Sequence, residues 1–358
     1  MQSTVKITGV GSYIPEKVTT NESFSKHRFL NEDGSLIDAP NAVIIEKFKT
    51  ITGIKERRYL DETLVNSDIA CMAAKKAIAH AAINPETIDY IIVAHNYGDI
   101  KHGSVQSDTV PSLASRVKHL LQIENPHCVA YDMLFGCPGW LESVIHAQAF
   151  IKSGMAKTCL VIGSETLSRV IDEHDRDAMI FSDGAGAVIL QESIEAGGII
   201  THDTVTHTKE EAHFIYFDKS NNPDKNQDEK DTTRYIKMYG RKVYNFALSN
   251  VPMAMKSCLD KSGISINQIK KIFIHQANEK MDQAICQRFY KLYDEKIPKN
   301  IMPMSIGELG NSSVATIPTL LDLVVHNKME NHKISSGDYA IFASVGAGMN
   351  INAMVYQF

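Results

Sequence analysis

Short unbroken apolar runs recur along the chain, separated by longer stretches in which apolar residues return at helical spacing. Tyr90-Ile91-Ile92-Val93 and Cys159-Leu160-Val161-Ile162 are continuous rather than alternating, the pattern of strands buried on both faces of a mostly parallel sheet. Asp68 to Ile78 carries small residues suited to close helix packing, with Asp68 expected at the N-cap. Leu141 to Ser153 reads as a second helix, stopped at Gly154. Strand runs alternating with helical stretches predict an α/β fold.

The pattern occurs twice. Residues 83–96 (INPETIDYIIVAHN) and 264–278 (ISINQIKKIFIHQAN) each pass from a helix exit through a polar turn into an apolar strand that ends in His or Asn. Matching Ile88 to Ile269 gives an offset of 269 − 88 = 181, which pairs Ile91-Ile92-Val93 with Ile272-Phe273-Ile274 and carries Val161 to Phe342. The chain is therefore expected to consist of two related halves, residues 1–195 and 196–358. Two polar stretches interrupt the alternation, residues 22–46 and the charged residues 217–235. The second reads as a solvated excursion, with a surface loop and a functional lid both open.

Composition narrows the field without choosing within it. A formal charge of −5 over 358 residues offers no basic stripe, so a nucleic-acid partner is not expected. The six cysteines are scattered, without CxxC or metal-ligand spacing, and no metal site is expected. Cys71, Cys128, Cys159, Cys258 and Cys286 sit in apolar contexts and read as reduced core residues. The N-terminal residues enter an apolar strand directly, and no run of 18 apolar residues occurs. A cytoplasmic protein outside the membrane is expected.

Candidate chemistry gathers at three places. In Asp132-Met133-Leu134-Phe135-Gly136-Cys137-Pro138-Gly139-Trp140, one cysteine falls where the chain leaves a buried strand and opens a helix. Gly136 permits the turn and Pro138 suits a first helical turn, so Cys137 would face a helix N-terminus that favours thiolate. His275 follows Ile272-Phe273-Ile274, and Asn311 follows Gly310. Each alone reads more readily as a core thiol, a core imidazole or a turn residue. Together they form a Cys, His, Asn set at comparable points of the repeat.

Over nearly its whole length the chain resembles the β-ketoacyl-acyl carrier protein synthase III family of thiolase-fold condensing enzymes. The resemblance is carried by Ile7 to Pro15 (ITGVGSYIP), Thr52 to Arg57 (TGIKER), the Cys137 segment, Phe181 to Ala187 (FSDGAGA), His275 to Asn278 (HQAN) and Gly310 to Ser313 (GNSS). It implies a five-layered αβαβα thiolase fold of two pseudo-symmetric halves, a homodimer, and decarboxylating Claisen condensation in fatty acid or related synthesis. Cys137 would carry the acyl group, and His275 and Asn311 would bind the oxygen of the malonyl-derived enolate. The backbone N–H of Cys137 and one from the Ala347-Gly348 turn would form the second oxyanion site. No tightly bound cofactor is implied. The substrates would be phosphopantetheine thioesters on acyl carrier protein or coenzyme A, with Arg176, Asn278 and Lys280 on the carrier side. Condensation or cyclisation of long or aryl-polyene acyl groups to resorcinol-type products, and a non-condensing acyl-transfer or carrier-binding subunit, are the alternatives.

The departures bear on substrate. Where acyl-CoA-primed relatives place a Trp and an Arg before TGI, this chain has Lys47 and Ile51, which removes adenine stacking. Val110, beside Pro111, falls where short-chain enzymes place a Phe at the acyl tunnel, and a smaller side chain would open that space.

Overall fold

The computed structural model describes residues 4–227 and 232–358. The first half contains β1 (Thr4–Tyr13), β2 (Lys17–Thr20), α1 (Asn41–Thr52), β3 (Glu56–Tyr59), α2 (Asn66–Ala81) and β4 (Tyr90–Ala94). It continues with α3 (Leu113–Leu120), β5 (Val129–Met133), α4 (Gly139–Lys152), β6 (Thr158–Thr166) and β7 (Asp183–Ser193). The second contains β8 (Gly198–Thr206), β9 (Ile215–Asp218), β10 (Tyr235–Met238), α5 (Gly240–Ser262) and β11 (Ile269–Ile274). After it come α6 (Glu279–Lys291), α7 (Ile306–Leu309), α8 (Thr316–Val325), β12 (Tyr339–Gly346) and β13 (Asn350–Gln357).

Two sheets carry the architecture, with strand orders β1-β7-β6-β4-β5 and β11-β12-β13-β8. The unbroken apolar runs follow from burial on both faces. In β4 and β6, Ile92 and Val161 join the core shared with α4 and α8, whereas Ile91, Val93, Leu160 and Ile162 face the core shared with α2 and α3. Ile272, Ile274 and Ile341 likewise pack on α5 and α6, and Phe273 and Phe342 turn inward. Helix, sheet, helix, sheet, helix is the resulting order of layers, with α4 and α8 in the middle.

The sequence repeat reappears as strand register. β4 pairs parallel with β6, Ile92 opposite Val161, and β11 pairs parallel with β12, Phe273 opposite Phe342. Beyond β4 lies β5; beyond β11 lies an irregular segment, whose Ile301 carbonyl accepts a 2.9 Å bond from the Ile272 N–H. Pro303 follows closely, lacking the N–H a regular strand would need.

Two local expectations are corrected. Val65 is the N-cap of α2, and Asp68 stands three residues in, its carboxylate accepting from the Val65 N–H at 2.9 Å. Residues 217–235 are not simply solvated: β9 and β10 form an antiparallel hairpin, although 228–231 lie outside the described residues. The alternation in β10 sorts its side chains. Ile236 and Met238 line a cavity, while Lys237 is buried against Asp172 at 2.7 Å, Asp175 at 3.1 Å and the Asn221 Oδ1 at 2.8 Å. Breaking one partner of such a buried pair leaves an uncompensated charge, so the hairpin is clamped to the body.

Candidate active site

A cavity of about 660 Å³ opens between α1, the β9–β10 hairpin and the C-terminal ends of the two sheets, the usual place for a site in an α/β sheet. Cys137, His275 and Asn311 all line it, as do Ala347, Asn278 and Arg176. Apolar side chains make up much of the rest, among them Ile44 and Phe48 from α1 and Ile215 and Met238 from the hairpin.

Cys137 stands just before α4, whose N-cap is Pro138. The expected thiolate is opposed by its setting: the side chain is half-buried at the cavity, desolvation pushes the thiol up to about 11, and the Glu165 carboxyl adds to the rise. A 3.3 Å hydrogen bond from the Ser313 hydroxyl to Sγ works the other way. The helix N-terminus is too weak a source of charge here to offset desolvation.

The turn after β12 reaches Cys137 because two glycines permit it. A Cβ on Gly346 would sit 2.5 Å from the Cys137 nitrogen, and one on Gly136 would sit 2.7 Å from the Ala347 nitrogen. Ala347 therefore borders the cavity beside the cysteine, while Gly348, the other half of the expected oxyanion turn, does not line it.

His275 continues from β11, its N–H bonded to the Ala343 carbonyl at 2.9 Å. Burial holds the imidazole down to about 4, with the Ser313 main chain partly countering, so the ring is neutral at neutral pH. Its Nδ1 is buried and has no hydrogen-bond partner among the described residues.

Asn311 is fixed from both sides. Its N–H donates to the Ile180 carbonyl at 3.0 Å, its carbonyl accepts from the Ser182 N–H at 2.8 Å, and its Oδ1 accepts from the Ser313 N–H at 2.8 Å. That last bond leaves the amide NH₂ for the cavity. Fully buried Arg57 supports the same segment through the Met179 carbonyl, bonded by Nε at 3.1 Å and by a terminal nitrogen at 2.8 Å. This explains why TGIKER and FSDGAGA accompany the chemical residues.

The carrier-side residues divide. Arg176 lines the cavity with its side chain 55% exposed. Asn278 also lines it, but its Oδ1 caps α6 by accepting from the Met281 N–H at 3.1 Å. Lys280 is exposed on α6, outside the lining. Val110 does not belong to this chain's own cavity: it is 85% exposed. Lys47 and Ile51 both border the opening from α1.

Sequence reading assigned no role to Asn96, Glu165 or Ser313. The Asn96 amide donates to the Glu165 Oε1 at 2.5 Å and to the Ser313 hydroxyl at 3.2 Å. Glu165 is wholly buried at the end of β6, and desolvation pushes its carboxyl up to about 8. The signal in the sequence is a carboxyl three residues past the apolar run of β6, still within the strand.

Two stacked sheets around paired central helices, with cysteine, histidine and asparagine at one cavity, define a thiolase-fold condensing enzyme. Two segments match the family described as 3-oxoacyl-[acyl-carrier-protein (ACP)] synthase III, the family domain over residues 131–209 and its C-terminal domain over 259–358. The chain is 31% identical over 356 residues to β-ketoacyl-[acyl-carrier-protein] synthase III 1 of Bacillus anthracis, with 99% of each covered. It is 32% identical over 355 residues to β-ketoacyl-[acyl-carrier-protein] synthase III of Staphylococcus haemolyticus, again with 99% of each covered. The crystal structure of 3-oxoacyl-[acyl-carrier-protein] synthase III from Aquifex aeolicus superposes with a TM-score of 0.81 at 29% identity, covering 99% of this chain and 100% of that one. The chain belongs to the β-ketoacyl-[acyl-carrier-protein] synthase III family, an acyl-transferring ketosynthase family.

Proposed function

We propose that this chain catalyses decarboxylating condensation of an acyl thioester primer with malonyl-acyl carrier protein. The observation that carries the reading is the convergence of Cys137, His275 and Asn311 on one largely apolar cavity. Cys137 attacks the primer carbonyl, the carrier thiol departs with the cysteine's proton, and an acyl-enzyme remains. The N–H groups of Cys137 and Ala347 are the donors for the tetrahedral oxygen. Malonyl thioester then enters with its carbonyl oxygen toward His275 and Asn311. Loss of carbon dioxide places negative charge on that oxygen, where a neutral imidazole N–H and the Asn311 amide stabilise it as it forms. The carbanion attacks acyl-Cys137, the β-ketoacyl thioester leaves, and the sulfur takes up one proton.

Apolar side chains from α1 and the hairpin favour an acyl or pantetheine chain over a polar substrate. Arg176 and exposed Lys280 are the cationic groups for a carrier's phosphate or acidic helix. We assign residues 1–195 and 196–358 to two halves, a reading supported by sheets drawn from residues 4–193 and 198–357. β5 is an edge strand, and Leu134, which follows it, is 65% exposed. A second copy docked there gives a homodimer, and the tunnel role of Val110 then belongs to the neighbouring copy's cavity.

Intact-protein mass spectrometry tests the reading. Acyl mass should appear on Cys137 with an acyl thioester and disappear, with formation of β-ketoacyl product, when malonyl-acyl carrier protein is added. An acyl group that never forms, or that malonyl carrier does not discharge, overturns it.

A further inference from the structure

One buried acid near the nucleophile is not used by this mechanism. Glu165 is the penultimate residue of β6, fully enclosed, with Oε1 accepting from the Asn96 amide at 2.5 Å and Oε2 unpartnered among the described residues. The same Asn96 nitrogen reaches the Ser313 Oγ at 3.2 Å, and that hydroxyl donates to the Cys137 Sγ at 3.3 Å. An unbroken polar chain thus runs from carboxyl to sulfur, with the Asp183 carboxyl near enough to raise Glu165 further and the Tyr97 hydroxyl near both Glu165 and Cys137. Gly163 makes the approach possible: a Cβ there would lie 2.2 Å from the Val314 carbonyl, so only glycine lets the Ser313 loop rest on β6.

The directions of the hydrogen bonds fix what the chain does. Asn96 donates to Ser313, which occupies the hydroxyl's lone pair and turns its proton toward the sulfur. Asn96 is itself aimed by Glu165. A buried acid with one unpartnered oxygen is costly as a carboxylate and far cheaper as a neutral acid. Burial raising the Glu165 carboxyl to about 8 agrees with this, and the same carboxyl, once ionised, opposes charge on Cys137.

We propose that Glu165 is a positioning residue: through Asn96 it holds the Ser313 hydroxyl on the Cys137 sulfur, and by keeping its own proton it lets that sulfur carry charge as it attacks the primer thioester and again when the β-keto product departs. Loss of that proton in mildly alkaline solution adds a second negative charge beside the sulfur and slows thiolate formation. Ser313 lends a donor to the leaving sulfur, and Glu165 governs how much that donor is worth. The inference rests on Cys137 being the nucleophile.

Iodoacetamide alkylation of the full-length protein, followed by intact and peptide mass from pH 6 to 11, tests the two residues in opposite directions. Ser313→Ala removes the donor while keeping the main-chain N–H that holds Asn311, and should slow Cys137 alkylation at pH 9 by about threefold to tenfold, the effect of moving the titration by half to one pH unit. Glu165→Gln keeps an acceptor for Asn96 but cannot ionise, and should quicken alkylation at that pH by a similar factor. Damage to the fold would slow or quicken both together. Rates that change in the same sense in the two variants, or that match wild type in both, overturn the proposal. Alkylation of another cysteine in wild type would instead overturn the nucleophile assignment.

Discussion

The two halves share a scaffold and differ in chemistry at single positions. With the offset of 181 that aligns Ile92 with Phe273, His275 falls opposite Ala94, and Gln276 opposite His95. The later pair does the same structural work. His95 receives the Gly98 N–H at Nδ1, 3.0 Å away, and meets the Asp132 carboxylate through Nε2 at 2.9 Å. Gln276 receives the N–H groups of Ser305 and Ile306 at 2.9 and 3.1 Å and donates to the Pro303 carbonyl at 2.8 Å. Each is a buried hub tying a strand end to the loops around it. One residue earlier, one half keeps a methyl group and the other presents an imidazole to the cavity. Duplication explains the framework, and the departures from it mark where chemistry was placed.

The largest effect should come from the first half's own departure. Cys137→Ser should abolish acyl-enzyme formation while leaving the melting temperature near wild type, because an unactivated hydroxyl is a poor nucleophile at neutral pH. Mass spectrometry with an acyl thioester checks it. Retained label at position 137 would mean that the cysteine is not what distinguishes this half.

The hub in the same half should behave differently. His95→Ala removes two buried hydrogen bonds and leaves Asp132 under-satisfied, costing roughly 3 kcal/mol of stability. Denaturant unfolding should report that loss, and the folded fraction should still acylate at Cys137. Full stability in the variant would break the equivalence of His95 and Gln276.

Much of this architecture is legible in the sequence, since double-sided burial writes itself as unbroken apolar runs and a duplicated register as a constant offset. What stayed hidden depended on direction rather than order. Val110 can be aligned to a tunnel position, but alignment cannot say that the side chain faces away from its own cavity. Ile236-Lys237-Met238 sits in a charged neighbourhood, so composition concealed an alternation that sends two side chains into the cavity and clamps the third. Glu165 looks like an ordinary strand-end acid until the loop carrying Ser313 is laid over it. Cys137 before a helix suggests a thiolate, yet the desolvation that opposes one comes from the walls of the cavity and is a tertiary property.

A smaller change is expected at the opening. Lys47→Trp should raise kcat/KM for an acyl-CoA primer by about tenfold, the lower end of what one stacked base contributes. Acyl carrier protein primers should respond far less. Parallel steady-state kinetics with the two carriers decide it, and an equal response would detach Lys47 from carrier choice.

Smallest is the expected response to mild acid. Burial holds His275 down to about 4 from 6.5, so its protonation should leave decarboxylation unaffected between pH 7 and about pH 5. The depressed value also sets the sign for stability: the contribution is complete above 6.5 and is lost as pH falls through the folded value near 4. Unfolding curves of wild type and His275→Ala from pH 7 to 4 should therefore converge as the medium becomes acidic. An activity limb near 6.5 traced to His275 would show the ring to be solvated.

The most direct test separates the cysteine's step from that of the other half. Acyl-enzyme formed in advance on wild type, His275→Ala and Asn311→Ala should be mixed with malonyl-acyl carrier protein, with carbon dioxide release and acyl mass on Cys137 followed together. Both variants are expected to hold their acyl group while decarboxylation falls by about a hundredfold or more, the loss typical of one oxyanion donor. Carbon dioxide released from either variant at the wild-type rate would contradict the assignment of decarboxylation to His275 and Asn311.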